Sequence, residues 1–564
     1  MKWTLSARCG VILLTLFASV GHARLPAAAI ASAHPLATQA GFEILDQGGN
    51  AFDAAIAVSA ALAVVEPYGS GMGGGGFWLL HQADSGRNVM IDGREKAPGA
   101  ASRDMYLDNR GQVVRDWAIN GPSAAGIPGQ PAALAHLATS YGSLPLSVTL
   151  APAIRLAREG FQVEEHYRSM ANYRRDVLNR SPEARRIFLN NGEVPPVDHL
   201  IVQPELASLL EQLAEHGHDG FYRGELAQKL VNGVIDNGGL WSEEDLASYQ
   251  VIEREPVVGT FRGAKIISAA PPSSGGVVLI QALNILERFN DGQPDPALLP
   301  HLAIESMRRA YRDRALHLGD PDFVDMPIAR LLDKDYATAL AAGIKLDRAT
   351  PSASLGAPIT VEQGTHTSHF SIIDQHGNRV AATLSINLPF GSGFVVPGTG
   401  LLLNNEMDDF SANPGSANAY GLIGGEANAI AAGKRPLSSM TPTFVEWDGK
   451  VAILGAPGGS RIISMVMLAA LEALNGKPPQ DWVSRPRFHH QYMPDMVQAE
   501  PDFVGTEAGK SLLVRGHQME STGRRYGNMQ AVFWDSKSGT LQAAADPRGI
   551  GTGLVRAPEK KQGD

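Results

Sequence analysis

Cysteine is nearly missing from this sequence. Its 564 residues hold one, Cys9, inside an N-terminal stretch with the composition of an export signal. Lys2 and Arg8 precede an apolar run over 11–20, and Gly21-His22-Ala23 puts small residues at the two positions a signal peptidase reads. Residues 1–23 are therefore expected to be removed by cleavage after Ala23. No small-residue run precedes Cys9, as a lipoprotein site would need. The rest of the chain has no thiol, which excludes disulfides, cysteine nucleophiles and zinc–thiolate centres together. That suits an oxidising compartment, and the expected location is periplasmic or secreted.

Long apolar runs are scarce too. The one in the leader is short for a membrane span, and the next, over 54–65, is Ala-rich and ends at Glu66-Pro67, so no span is expected in the mature chain. Positive charge is in deficit: 48 Lys and Arg against 58 Asp and Glu leave a net −10, which argues against nucleic acid and anionic membranes as partners. There is no G-x-S-x-G elbow and no H-E-x-x-H helix. What is present is globular: 44% hydrophobic and 19% charged residues supply ample core and exclude a collagenous, coiled-coil or disordered chain.

Apolar residues recur at three- and four-residue spacing over 54–65, 146–159, 203–216, 225–237, 277–289 and 299–316, predicting a helix-rich first half layered around a sheet. Residues 77–81 and 88–92 read as a strand pair split by the turn Asp84-Ser85-Gly86. Residues 349–364 (ATPSASLGAPITVEQG) lack any period and are expected to be a mobile connector, with strands dominating beyond it. No internal repeat or low-complexity tract is found.

The segment after the connector carries the strongest pattern. In 365–374 (THTSHFSIID) alternation puts Thr365, Thr367, His369 and Ser371 on one face, and in 378–387 (NRVAATLSIN) Thr383, Ser385 and Asn387 share a face. With Gln375-His376-Gly377 as a three-residue loop and Gly377 left-handed, Asp374 faces Asn378 and Thr367 faces Ser385. A slip of one residue would break that match. A row of hydroxyls and an amide is unusual on a core strand.

Other motifs have two readings. Gly71-Met72-Gly73-Gly74-Gly75-Gly76 fits the dinucleotide fingerprint, with Asp92 placed like its ribose-binding acid. Here, however, a helix enters the glycines and a strand leaves them, the reverse of that motif's order. His489-His490 tempts a metal reading, but adjacent residues point to different sides, which favours hydrogen-bonded structural roles. Residues 434–440 (KRPLSSM) and 455–461 (GAPGGSR) read as loops, although the glycine N–H groups of the second can converge on a developing oxyanion. Residues 404–410 (NNEMDDF) put three carboxylates within four residues, a solvated or cation-binding loop or a site for a substrate ammonium. Apolar flanks suggest partial burial, and buried carboxylates need a cationic partner, which a ligand could supply.

On these residues the sequence resembles the γ-glutamyltranspeptidase (glutathione hydrolase) family of N-terminal-nucleophile hydrolases. The matching stretches are 73–77, Asp92-Gly93-Arg94-Glu95, 367–374, 404–410, 435–442, 457–461 and 485–491, in order along nearly the whole mature chain. The resemblance implies an α+β fold, a four-layer αββα sandwich, made as a precursor that cuts itself between His366 and Thr367. A large subunit, 24–366, and a small one, 367–564, would together build one αββα unit. It makes Thr367 the nucleophile and, through its freed α-amine, the general base, because α-amines titrate near 7.7–8.0. It makes Thr383 and Ser385 orienting hydroxyls, and Gly458 and Gly459 the oxyanion hole.

For a γ-glutamyl substrate such as glutathione, it assigns the α-carboxylate to Arg94, Ser438 and Ser439 and the α-ammonium to Asn387, Glu406 and Asp409. Residues 413–426, with Tyr420 as lid tyrosine, resemble a flap over the site. Ser385 is Thr in some relatives, and His366 replaces a Gln found in others. No cofactor and no metal is expected; the partners are the γ-glutamyl substrate and acceptor amines or water. The alternatives are a glutaryl-cephalosporin-type acylase on the same fold, whose substrate lacks the α-ammonium, and a non-catalytic periplasmic binding protein.

Overall fold

A computed structural model of the chain describes residues 25–356, 367–412 and 425–557. The expected leader, Thr365, His366, Tyr420 and most of the expected flap lie outside the described residues.

Two antiparallel sheets lie face to face. The first is built from β1 (Ala28–Ser32), β2 (Gly75–Gln82), β3 (Arg87–Gly93), β4 (Ile252–Arg254), β7 (Ser368–Ile373), β8 (Arg379–Ser385) and β13 (Thr552–Arg556). Its order is β13-β1-β7-β8-β2-β3-β4. The second holds β5 (Val257–Phe261), β6 (Ala264–Ser268), β9 (Thr443–Trp447), β10 (Lys450–Gly455), β11 (Gln530–Asp535) and β12 (Thr540–Ala545), in the order β12-β11-β10-β9-β6-β5.

Alternation along β7 and β8 separates two cores. Phe370, Ile372, Val380, Ala382 and Leu384 point outward into a core shared with helices α1 (Pro35–Asp46), α2 (Ala51–Val65), α3 (Leu146–Glu159) and α4 (Pro204–His216). Ile373 and Ala381 point the other way, into a core shared with the second sheet and helices α5 (Gly275–Leu286), α6 (Leu299–His317) and α7 (Arg461–Leu474). Helix, sheet, sheet, helix is the expected αββα sandwich.

The hairpin of β7 and β8 has the expected register. Ile373 pairs with Arg379, His369 with Thr383 and Ser368 with Leu384, which carries Thr367 opposite Ser385. Gly377 adopts φ 88°. Asp374 fixes the turn by accepting from the N–H groups of His376 (2.8 Å) and Asn378 (3.0 Å), while its second oxygen accepts from Ala51 N–H (2.9 Å) at the start of α2. The hairpin is thereby locked to a helix that is buried on every face.

The glycine run has a packing cause. A Cβ would fall 2.0 Å from the Leu402 carbonyl oxygen at Gly73, 2.1 Å from that of Ser385 at Gly74, and 2.3 Å from that of Gly93 at Gly75. Only glycine lets these backbones approach so closely.

Three expectations need correction. Strands β1, β4, β5 and β6, and helix α7, were not foreseen, because the short strands lack a clean period and α7 is buried nearly all round. The upstream part of the connector is anchored: Ala349 N–H donates to Arg515 O (2.7 Å), Thr350 N–H to Glu305 (3.0 Å) and Ser352 N–H to Asp495 (2.7 Å). Polar partners far away in sequence hold a segment whose composition reads as loose.

Candidate active site

Thr367 begins the edge where the first sheet meets the loop into α7, and it lines two cavities. On one side a small pocket of about 20 Å³ brings together Thr367, Arg94, Ser385, Asn387, Glu406, Asp409, Ser438, Ser439 and Gly459. On the other, a cavity of about 240 Å³ contains Thr367 and Gly458. Gly458 (φ 139°) and Gly459 (φ 56°) need left-handed backbone and immediately precede α7, whose N-terminal dipole favours negative charge there. Thr383 lines neither space and sits behind Thr367.

The small pocket is electrically closed. The Arg94 guanidinium, fully buried, meets Asp409 at 2.5 Å, Glu406 at 2.9 Å and Glu95 at 3.4 Å. Arg94 thus supplies, from within the chain, a cationic partner of the kind buried carboxylates require. Burial works against the charge of Arg94, but the three carboxylates outweigh it and hold the group protonated. Burial lifts Glu406 well above the carboxylate range against the pull of Arg94, and lifts Glu95 to about 7.

Positions within the pocket are set by the backbone. Asn404 donates to Gly73 O (2.7 Å) and Gly126 O (2.8 Å) and accepts from Glu406 N–H (2.9 Å), pinning the acidic segment to the glycine run. Asn387, at φ 72°, donates to Asn405 O (2.8 Å). Ser385 Oγ accepts from Asn387 N–H (2.7 Å), leaving its proton for Glu406. Ser438 Oγ accepts from Met440 N–H (3.0 Å).

Two residues were missed by sequence reasoning. Arg314, on α6, donates to Ser274 Oγ (2.8 Å) and Ser439 Oγ (3.3 Å). Burial lowers it to about 10, and it adds positive field behind Ser439. Four arginines between 308 and 314 of one helix were the available signal. Glu66 is buried beside Thr367, accepts from Ser368 Oγ (2.6 Å) and is raised by burial to about 7; nothing local in Glu66-Pro67 marks it.

Behind Thr367 the hydroxyl row is wired through an imidazole. His369 lies 2.9 Å from Thr383 Oγ1 through Nδ1 and 3.2 Å from Ser371 Oγ through Nε2. The Ser371 hydroxyl faces two carbonyl oxygens, Gln530 at 3.2 Å and Ile453 at 3.3 Å, and must give its proton to them. Nε2 therefore donates to Ser371, and Nδ1 accepts from Thr383. With its proton committed backward, Thr383 turns lone pairs toward the Thr367 side. Burial lowers His369 to about 3, so the ring stays neutral. Its space exists because position 455 is glycine, where a Cβ would lie 2.1 Å from the ring.

His489 contacts Ser464 and Gln491 at 2.9 Å each, and His490 contacts Asp495 at 3.2 Å, so the two do not share a partner. Among the described residues one group, His301, Glu305 and His517, is close enough to hold a metal ion. Within it His301 Nε2 meets Lys345 O at 2.8 Å, its Nδ1 meets His517 Nε2 at 2.7 Å, and Glu305 binds Arg308, Arg309 and Thr350 N–H, while His517 Nδ1 has no hydrogen-bond partner among the described residues. No helix among the described residues is long and apolar enough to cross a membrane.

Known proteins share this arrangement of chain. The γ-glutamyltranspeptidase family profile matches residues 37–555. The chain is 40% identical over 530 residues to a glutathione hydrolase proenzyme of Escherichia coli, covering 92% of this chain and 90% of that one. It is 42% identical over 510 residues to one of a Pseudomonas species, covering 89% and 87%. The crystal structure of a cephalosporin acylase from Bacillus halodurans superposes with a TM-score of 0.82 at 29% identity, covering 99% of both chains. A profile match over almost the full length, on a sandwich that brings the separate motifs around one threonine, places the chain in the γ-glutamyltranspeptidase family.

Proposed function

We propose that the chain is an exported glutathione hydrolase and γ-glutamyl transferase, made as a precursor that cuts itself between His366 and Thr367 after loss of residues 1–23. The large subunit is then 24–366 and the small subunit 367–564. The observation that carries this reading is the position of Thr367 between two cavities, with Gly458 on one side and Gly459 on the other.

Cleavage frees the α-amine of Thr367, which takes the proton of its own hydroxyl as Oγ attacks the γ-carbonyl carbon. Negative charge developing on the carbonyl oxygen falls to the N–H groups of Gly458 and Gly459. The C–N bond breaks, the amine takes the proton and leaves, and water or an acceptor amine resolves the γ-glutamyl ester. Thr383, held by His369, and Ser385 orient the nucleophile.

The small pocket suits a zwitterion. Arg94 and Asp409 satisfy each other. An entering α-carboxylate can take Arg94 with Ser438 and Ser439, and an α-ammonium can take Asp409, Glu406 and Asn387, so both buried charges keep a partner. A glutaryl group brings the carboxylate alone and leaves the acids unpaired, which argues against the acylase reading. Residues 413–426 with Tyr420 complete the proposal as a cover over this pocket.

The test is side-by-side hydrolysis of γ-glutamyl and glutaryl anilides by one preparation. Preference for the γ-glutamyl compound by about 100-fold is expected for one buried ionic contact. Preference for the glutaryl compound would establish an acylase instead, and tight glutamate binding without turnover would establish a binding protein.

A further inference from the structure

The larger cavity beside Thr367 has a charge that the catalytic reading leaves unused. Three guanidiniums line it: Arg524, Arg525 and Arg548. Arg548 is paired with Glu500 at 2.7 Å and Asp546 at 3.0 Å, and Arg525 with Asp502 at 2.5 Å. Arg524 makes no ion pair among the described residues; its main-chain carbonyl accepts from Thr522 Oγ1 at 2.6 Å, and its guanidinium makes no hydrogen bond among them. Its charge reaches across the cavity: His166 is lowered first by burial and then by Arg524. The single carboxyl in the lining, Glu66, is turned to Ser368 and Tyr68 and is raised by its burial. The cavity therefore presents one uncompensated cation next to the nucleophile.

The chemistry of a γ-glutamyl peptide says what meets it. With the glutamyl end seated in the small pocket, the rest of the substrate extends into the opposite cavity. In glutathione this part is a dipeptide whose terminal carboxylate lies two residues beyond the scissile amide, roughly 7 Å along an extended chain. We propose that Arg524 binds the terminal carboxylate of the leaving dipeptide, and of dipeptides returning as acceptors, so that the cavity is a subsite for short peptides with a free C-terminus. The inference rests on the γ-glutamyl reading above. A planar guanidinium matches a carboxylate with two parallel hydrogen bonds. Because Arg524 is exposed, solvent weakens the contact, and the expected preference is about 5- to 20-fold.

The experiment compares glutathione with its C-terminal glycinamide as substrates of the processed enzyme, alongside a γ-glutamyl anilide. Wild type should show a 5- to 20-fold higher kcat/KM for the free carboxylate, carried mostly by KM. In Arg524→Gln that ratio should collapse to about one, and Arg524→Lys should keep part of it. An undiminished ratio in Arg524→Gln, or no preference in wild type, overturns the proposal. Wild type that fails to cleave the anilide contradicts the γ-glutamyl reading itself, which separates the two failures.

Discussion

The two spaces on either side of Thr367 are built on opposite principles. The smaller side is about 20 Å³ and filled by its own charges, with Arg94 paired to Glu406 and Asp409 in the interior. The far side is about 240 Å³ and keeps one guanidinium uncompensated. A closed, internally paired pocket admits only a group that can replace both halves of its ion pair at once. An open one tolerates many occupants and adds a modest preference. On the proposed function, that contrast predicts strict choice of the acyl group and broad choice of the amine.

Removing what the two sides share has the largest effect. Thr367→Ala should leave one precursor-sized band on a denaturing gel and lower turnover of a γ-glutamyl anilide on the order of 10⁴-fold or more. An unprocessed band with full activity would end the mechanism. Next comes the closed side: Arg94→Lys keeps the charge but loses the planar fork, and kcat/KM for γ-glutamyl substrates should fall about 10- to 100-fold, chiefly through KM. A loss no larger than that of Arg524→Gln would erase the distinction between the two sides.

The wall behind both sides gives a smaller, differently shaped effect. His369→Leu leaves the Thr383 proton without its acceptor, and kcat should fall about tenfold at unchanged KM. His369→Gln can accept from Thr383 and donate to Ser371, and should recover most of the loss. Equal defects in the two variants would reduce His369 to filler.

The smallest effect is on stability. His34, His369, His489, His490 and His517 are lowered by burial from 6.5 to about 4, 3, 3, 4 and 3. The unfolded chain takes up their protons below 6.5 while the folded chain does not, so this contribution is present above 6.5 and is lost as pH falls. Glu66 and Glu95, raised by burial to about 7, act oppositely between 4.5 and 7 and are constant below 4.5. The melting temperature should therefore drop most steeply below pH 4.5, where each histidine contributes up to about 1.4 kcal/mol per pH unit. A flat profile from pH 6 to 4 would contradict the neutral, buried rings.

Local patterns made part of this legible in the sequence. The alternation of 365–374 with 378–387, and a glycine at 377, determine the hairpin register because side-chain period and turn conformation are local properties. Helices over 54–65 and 146–159 follow from spacing in the same way. The pairing of Arg94 with Glu406 and Asp409, the seat of Arg314 behind Ser439 and the anchoring of 349–352 by Glu305 and Asp495 each join residues 45 to 315 apart in the chain. No local pattern encodes a partner at that distance. The acidic segment 404–410 advertised a need for a cation but not which one.

The central claim is a single peptide bond. N-terminal sequencing and intact mass of both bands from purified, active enzyme test it most directly. The account predicts a small subunit that begins Thr367-Ser368-His369-Phe370 and a large one that begins at Arg24. Full activity in an uncut chain, or a small subunit with any other first residue, would contradict it.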